Sequence, residues 1–364
     1  MTNNTTKPTY GCSPGDILKD YMQAARMKQS DLASKMGVSA KTVSMLVRDS
    51  RPITVEYAVM LERIFGRPSK FWLNLEAVWK ESIVREKEGK KFEKYKNWCA
   101  LFKFNELVEF GLIRPAYNTA DIVRSLMVYF KIGTPDAIHS ELRDCQAHYR
   151  KSGTKAGTKQ ACLAWLTAGR AIVEQMSICD VAYSKESFEL ALNEIRKNMV
   201  DKPIDGHVLK QICSNAGVAL VFVPPFKGLG IYGATHWISE TPILQLSCNY
   251  DDDRFWFYFF HEACHILNDK KGSTSISFGS DTEEVEQRAN KFAEDFLLPS
   301  VAMAYIRSNA PSRDLIFKIA KEQSVLPSIV VGRMKKEGII EWTMFNDMHQ
   351  KTNVRYDRVY SESD

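Results

Sequence analysis

The sequence predicts a mainly α-helical chain that ends in an α+β domain. Apolar residues recur at helical spacing in several segments of the 364 residues. Near the N-terminus, two short helices separated by a glycine have the pattern of a helix-turn-helix bundle. Two valine- and isoleucine-rich runs in the last third predict strands beside further helices. We therefore predict three domains: a helix-turn-helix domain over 1–80, a helical linker domain over 81–200, and an α+β domain over 201–364.

The first predicted helix begins at Ser13-Pro14-Gly15-Asp16. Serine is a favoured N-cap and proline suits the first helical position, so this string is typical of a helix start. Residues 29–46 then predict two short helices that meet at Gly37, which can take the positive φ that a sharp turn needs. The small core of this bundle is predicted to contain Leu32, Ala33, Val38, Val43 and Leu46.

The start of the second of these helices is predicted to face outward, as in helices that enter the major groove of DNA. Residues 1–70 hold 11 Lys and Arg against 6 Asp and Glu, which accounts for the whole net charge of +5. Such an excess suits contact with phosphates. The alternative is a protein-binding helical domain with a solvated basic face. The candidate DNA contacts are Gln29, Ser39, Lys41, Thr42, Ser44 and Arg48.

The stretch from Ser13 to Trp79 resembles the HigA-type antitoxins within the Cro/lambda-repressor class. Its more specific part is Pro68 to Trp79, with the run Phe71-Trp72-Leu73-Asn74-Leu75, because a generic helix-turn-helix would not carry it. The resemblance implies a homodimer that binds a double-stranded DNA operator, and a possible cognate toxin as partner.

Composition gives expectations about the compartment. The eight cysteines are scattered without CxxC pairs, which favours reduced thiols in a cytoplasmic protein. Residues 1–11 are polar and show no secretory signal core. The longest aromatic run, residues 255–260, is far shorter than the ~20 residues that span a bilayer. We expect no membrane contact.

Residues 81–200 carry no recognisable chemistry. Ile122, Val123, Leu126 and Phe130 fall at helical spacing, and Phe188, Leu192 and Ile195 predict a later helix. We interpret the region as a helical linker. Residues 312–342 mimic a second helix-turn-helix, but the chain has no basic excess outside residues 1–70, so we expect a structural role there.

Two strands are predicted over residues 218–223 and 243–247, with the sheet beside the helix that follows. His236 lies between them in the sequence and is a candidate catalytic residue that could polarise a substrate carbonyl or hold an oxyanion. The alternative, an ordinary packed or exposed histidine, stays open at this point.

The most informative motif is His261-Glu262-Ala263-Cys264-His265, which reads H-E-x-x-H. Histidines four residues apart share one face of a helix, so His261 and His265 can hold one Zn²⁺. Glu262 is then placed to act as general base toward a metal-bound water. The alternative is an accidental match on an amphipathic helix.

A following helix is predicted to supply a third ligand. Its predicted buried face consists of Val285, Ala289, Phe292, Ala293 and Phe296, and Glu286 projects from the same face. Because a buried carboxylate needs a partner, a metal is the obvious one for Glu286. Asn290 could accept a hydrogen bond from the far nitrogen of a ligand histidine and fix its tautomer. The alternative for Glu286 is an ordinary surface glutamate.

Residues 255–267 and 285–299 together resemble the ImmA/IrrE-type metallopeptidases, whose pattern is H-E-x-x-H followed by E-x-x-A-[ND]-x-F-A. The resemblance implies a gluzincin-like fold, with His261, His265 and Glu286 as zinc ligands and Glu262 as the catalytic acid/base. Cys264 stands where that family usually has glycine, and we expect it to pack in the core. The ending Leu297-Leu298-Pro299 lacks the family's spacer residue.

These features predict a DNA-binding transcriptional regulator of antitoxin type with a zinc-dependent endopeptidase domain, which cleaves itself or a partner regulator or toxin. One alternative is a DNA-binding sensor whose metal domain binds metal or ligand without proteolysis. Another is an antitoxin whose C-terminal region only docks a toxin. Glu262 favours the enzyme, since a site that only binds metal has no need of it.

Overall fold

The computed structural model describes residues 12–149, 158–175, 181–200, 205–248, 250–277, 284–352 and 354–360. The polar residues 1–11, expected to carry no signal core, lie outside this part. The chain divides into two compact units, Met1–Tyr95 and Lys96–Asp364. Most of the predicted linker region thus belongs to the second unit, and the division into three domains stays a prediction.

The described part of the first unit contains five α-helices. They are α1 (Pro14–Ala24), α2 (Gln29–Met36), α3 (Ala40–Val47), α4 (Val55–Phe65) and α5 (Ser69–Phe92), followed by a 3-10 turn at Glu93–Tyr95. As expected, Ser13 caps α1 by accepting a hydrogen bond from the amide of Asp16, and proline follows it. Gly37 ends α2 with φ +65°, the left-handed conformation that turns the chain into α3.

The core of this unit lies between α1–α4 and the start of α5. Leu18, Leu32, Val43 and Leu61 are fully buried, and Trp72 of α5 is buried against them. Tyr21 contacts the ring of Trp72 edge-on, with centroids 5.2 Å apart. The aromatic run after Pro68 therefore packs α5 onto the helix-turn-helix bundle.

The second unit begins with seven helices. They are α6 (Lys96–Leu101), α7 (Phe104–Glu109), α8 (Thr119–Tyr129), α9 (Ile138–Tyr149), α10 (Thr158–Gln175), α11 (Lys185–Asn198) and α12 (Gly206–Asn215), with a 3-10 turn at Pro135–Ala137. Helix α10 packs against the sheet that follows, and the Trp165 indole donates to the carbonyl of Pro224 at 3.2 Å. This part of the predicted linker is thus one layer of the second unit.

A four-stranded sheet forms the middle layer. Its strands are β1 (Ala219–Val223), β2 (Gly233–Ile238), β3 (Thr241–Ser247) and β4 (Ser275–Ser277). Their spatial order is β1-β3-β2-β4, with β1 parallel to β3 and the other pairs antiparallel. The two predicted strands are confirmed, whereas β2 and β4 were not predicted from the sequence. Their six and three residues lack the valine- and isoleucine-rich composition that marked the others.

Five helices complete the unit: α13 (Asp252–Asn268), α14 (Glu284–Leu297), α15 (Ser300–Arg307), α16 (Arg313–Gln323) and α17 (Pro327–Lys336), before a 3-10 turn at Asn346–Met348. Helix α13 packs on strands β2 and β3 and against α14 and α17. Ile329, Val330 and Val331 of α17 are buried, so this helix supports α13, as expected for a structural role. Among the described helices, none has the length and apolar character needed to cross a membrane.

Candidate functional site

His261, His265 and Glu286 meet between α13 and α14. His261 Nε2 lies 3.2 Å from His265 Nε2 and 3.0 Å from Glu286 Oε2. His265 Nε2 lies 3.4 Å from Glu286 Oε1. All three side chains are buried, and their candidate ligand atoms lie within 4.8 Å of one another. The structure thus places together the three residues proposed as ligands.

This arrangement fits a zinc ion. Two ligand atoms at about 2.0–2.1 Å from a tetrahedral zinc lie about 3.3–3.4 Å apart, close to the separations found here. The other ring nitrogens are occupied, because His261 Nδ1 lies 3.0 Å from Asn290 Oδ1 and His265 Nδ1 lies 2.7 Å from Asp269 Oδ2. Oxygen acceptors at both Nδ1 atoms hold a proton there, so a zinc ion bound at the common centre would take the place of any proton on the Nε2 atoms.

Hydrogen bonds within the cluster shift the pKa values of His265 and Glu286 in opposite directions. Burial by itself would lower the pKa of His265, but hydrogen bonds to Asp269 and Glu286 outweigh it and raise the pKa to about 10. Burial would raise the pKa of Glu286, yet hydrogen bonds from His261 and His265 hold it well below its ordinary value. A carboxylate kept ionised in a buried site is suited to binding a cation.

Glu262 points from α13 toward the sheet. It is 0 % exposed, and its two carboxylate oxygens accept hydrogen bonds from Ser277 Oγ at 2.5 Å and Thr235 Oγ1 at 2.9 Å. Burial raises the pKa of this carboxyl, while the neighbouring His265 and His261 lower it. Gly233 leaves the space it needs, since a Cβ there would lie 2.6 Å from Glu262 Oε1.

Four residues of the centre were not identified from the sequence, and one is Ser275, whose hydroxyl donates to Glu286 Oε1 at 3.1 Å. Asp269, which orients His265, also pairs with Arg288. Its position four residues after His265 was a usable signal, since side chains at that spacing are neighbours on a helix. Thr235 and Ser277 gave no such signal, because each reaches Glu262 from a separate strand.

His236 does not belong to this centre, contrary to the expectation of a catalytic role. Successive side chains of a strand point to opposite faces, so Thr235 faces α13 and His236 faces away. His236 Nε2 lies 3.0 Å from Gln245 Oε1, and Gln245 in turn donates to the carbonyl of Trp165 in α10. The histidine is fully buried on that side, and it cannot reach a carbonyl held at Glu262 and His261.

A cleft of about 360 Å³ gives access to the cluster from the side of His261. Asn290 and Ser277 also line it, and the stacked rings of Tyr232 and Tyr258, 4.2 Å apart, form one wall. Cys264, by contrast, is buried in the core, as expected, where its sulfur accepts a hydrogen bond from Asn268.

The candidate DNA contacts lie on α2, α3 and the turn between them. Gln29, Ser39, Lys41 and Arg48 are exposed, and Thr42 and Ser44 are half-buried. Ser39 caps α3 by accepting from the amide of Thr42 at 3.1 Å. Lys41 and Arg48 form no ion pair with any described residue, so both cations are available to phosphates or base edges.

Two family models match the chain. One, described as helix-turn-helix, matches residues 18–72, from α1 to the first turn of α5. The other, described as an IrrE N-terminal-like domain, matches residues 214–335, from the end of α12 through α17. The second match contains the whole cluster of His261, His265 and Glu286.

Similar proteins were found for a quarter of the chain or less. The HTH-type transcriptional regulator YbaQ of Escherichia coli (strain K12) is 37% identical over 93 residues, covering 24% of this chain and 80% of that protein. An HTH-type transcriptional regulator of Haemophilus influenzae is 41% identical over 73 residues, covering 20% of this chain and 65% of that protein.

Among solved structures, one titled Pseudomonas aeruginosa antitoxin HigA with higBA promoter is 30% identical. That likeness covers 22% of this chain and 90% of the other, with a TM-score of 0.22. The family of the chain follows from its identity to the E. coli regulator over most of that protein and from the two family matches. The chain belongs to the DNA-binding helix-turn-helix transcriptional regulators and carries an IrrE N-terminal-like domain in residues 214–335.

Proposed function

We propose that the IrrE-like domain is a zinc-dependent endopeptidase that serves the DNA-binding regulator to which it is fused. The observation that carries the proposal is the convergence of His261 Nε2, His265 Nε2 and the Glu286 carboxylate within 4.8 Å, beside the buried Glu262. Three protein ligands and a reachable fourth side are what a catalytic zinc site needs, whereas structural sites use four protein ligands.

The chemistry divides between the metal and the chain. A zinc ion bound there would polarise the scissile carbonyl and lower the pKa of a bound water. Glu262 is the proton acceptor, and its raised pKa brings it nearer to neutrality, where a general base is most effective. Ser277 and Thr235 orient its two oxygens, and Ser277 also lines the cleft through which a peptide would approach.

The substrate we propose is a protein segment, either of this chain or of a partner regulator or toxin. The N-terminal unit would bind a palindromic operator as a homodimer. Support comes from the exposed Lys41 on α3 and Arg48 directly after it, which form no ion pair with a described residue, and from the net charge of +5 within residues 1–70. Removal of a repressor by proteolysis would then release its operator.

A second function is favoured by a specific observation. Glu262 has no exposed surface and both of its oxygens are bound by hydroxyl groups of the sheet. A base held in this way suits a domain that binds metal or ligand without hydrolysis, and that shifts the DNA-binding state by binding one conformation more tightly.

Glu262→Gln distinguishes the two functions. Glutamine keeps the size and an accepting oxygen but cannot take the proton, and position 262 is not a ligand. Zinc content and operator binding of this variant should stay near those of the wild type. The cleavage fragments of the chain or its partner that the wild type produces under inducing conditions should be absent. The matched control is Glu189→Gln on the exposed face of α11, which should still cleave. Identical fragments from wild type and Glu262→Gln would reject hydrolysis.

Operator binding is tested separately. Lys41→Ala should weaken specific binding by about 1–3 kcal/mol if the side chain reads a base edge. The control is Lys80→Ala on α5, whose side chain is paired with Glu76 at 3.3 Å. Titration of labelled operator and random duplex across a salt series measures both effects. Equal affinity for the two duplexes would reject the operator-specific regulator.

A further inference from the structure

A second cavity lies at the N-terminal end of α13, apart from the cleft beside His261. Its volume is about 580 Å³, within the range of small-molecule sites, and none of its described lining residues lines that cleft. The first turn of α13, the start of α17, α16, residues 347–352 and Val354 surround it. Its apolar walls include Phe255, Trp256, Phe317, Leu326 and Met348.

One polar group in this cavity lacks a partner. Ser328, in the first turn of α17, is fully buried and lines the cavity. Its hydroxyl oxygen forms no hydrogen bond with any described residue. Buried hydroxyl groups normally find a partner, because an unsatisfied one loses its hydrogen bonds to water without compensation. Ser328 is therefore positioned to contact a ligand.

A buried carboxylate stands beside it. Asp252 Oδ1 accepts from the amides of Gln350 at 3.2 Å and of its own neighbour Asp253 at 3.0 Å. Within the described part of the chain, Asp252 forms no ion pair. The carboxylate lacks the cation that would compensate its removal from water.

Most of the neighbouring charges already have partners. Asp347, which also lines the cavity, pairs with Arg313 at 2.7 Å. Lys335, the buried cation of α17, donates to Asn346 Oδ1 at 2.5 Å and lies 3.1 Å from His349 Nε2. Lys351 also lines the cavity but is exposed to solvent, so among the described lining residues the buried charge without an ion-pair partner is the negative one of Asp252.

We propose that this cavity binds a small primary amine with an apolar body. The ammonium group donates hydrogen bonds to the Asp252 carboxylate and to Ser328 Oγ, and the body packs against Phe255 and Trp256. An anionic ligand would place a like charge beside Asp252, and a purely apolar one would leave both polar groups unsatisfied. The site is separate from hydrolysis and stands whether or not the zinc centre cleaves peptides.

Calorimetric titration of the full-length protein tests the site with three amines of different body: 2-phenylethylamine, tryptamine and hexylamine. At least one should bind saturably and more tightly than its alcohol analogue, and phenylacetate should not bind. Asp252→Asn keeps an accepting oxygen for Gln350 but removes the charge, and it should weaken binding by ten-fold or more. Ser328→Ala should weaken it about three- to ten-fold, the loss of one hydrogen bond.

The matched control is Asp314→Asn on the exposed first turn of α16, outside the cavity, which should bind as wild type does. Thermal unfolding of each variant without ligand establishes that it is folded. The proposal is overturned if none of the three amines binds saturably, if amine and alcohol bind equally, or if folded Asp252→Asn and Ser328→Ala both retain wild-type affinity.

Discussion

Gly233 tests the geometry of the metal centre without changing any proposed ligand. In Gly233→Ala the new Cβ would lie 2.6 Å from Glu262 Oε1, 2.7 Å from its Cγ and 2.9 Å from its Cδ, where ordinary contacts begin near 3.4 Å. The glutamate side chain must therefore move by about 0.8 Å, a shift as large as those that cost precisely oriented groups their activity. Glu262 cannot move farther into the sheet, because Ser277 and Thr235 already occupy that side.

The magnitude follows from these contacts. Overpacking a filled core costs about 1–3 kcal/mol. Replacing glycine by alanine within a strand returns roughly 0.5–1 kcal/mol of backbone entropy. The difference spans about 0–2.5 kcal/mol, and we expect a net loss near its middle, about 1 kcal/mol, in the free energy of unfolding. If Glu262 is the base, a displacement on the order of 1 Å should reduce cleavage by about 100-fold while zinc stays bound.

The assay combines denaturant unfolding, zinc content and cleavage. Gly133→Ala is the matched control, since a Cβ at that position meets nothing within 4 Å. Equal stability of the two alanine variants would refute the packing of Glu262 against β2. Full cleavage by folded Gly233→Ala would refute the role of Glu262 as base.

Two further predictions concern Asp269 and His236. Asp269→Asn should lower zinc affinity by about 10–100-fold, because Asp269 orients His265 through its Nδ1 atom. Competition with a chelator measures the affinity, and an unchanged value would contradict this role of Asp269. Burial, with Arg170 nearby, lowers the pKa of His236 to about 4, against an ordinary 6.5. Between those values only the unfolded chain binds the proton, so stability should fall on acidification by about 2 kcal/mol from pH 6.5 to 5. His236→Gln should lack this component, which urea unfolding at both pH values would show; equal pH dependence in wild type and variant would count against it.

The elements that could be predicted from the sequence are those with local periodicity. The start of α1 at Ser13-Pro14, the turn at Gly37 and the histidine pair of α13 all depend on residues within four or five positions of one another. The helix-turn-helix and IrrE-like assignments depended on motifs of this local kind, and the two family matches confirm them.

Other features required contacts between distant parts of the chain. Glu286 could be placed on a buried face, but only the packing of α14 on α13 brings it to the histidines. The prediction for His236 failed for the same reason. A shift of one residue along a strand moves a side chain to the other face of the sheet, and no local pattern in the sequence gave the register of β2.

By itself, then, the sequence determined a helix-turn-helix unit and a helix with paired imidazoles, since short-range spacing on an α-helix sets which side chains share a face. Tertiary structure alone decided that Thr235 rather than His236 faces Glu262, and that Asp252 and Ser328 line a separate cavity. These are relations between elements far apart in the chain, and they arise from the packing of helices on the sheet, which the spacing of neighbouring residues does not encode.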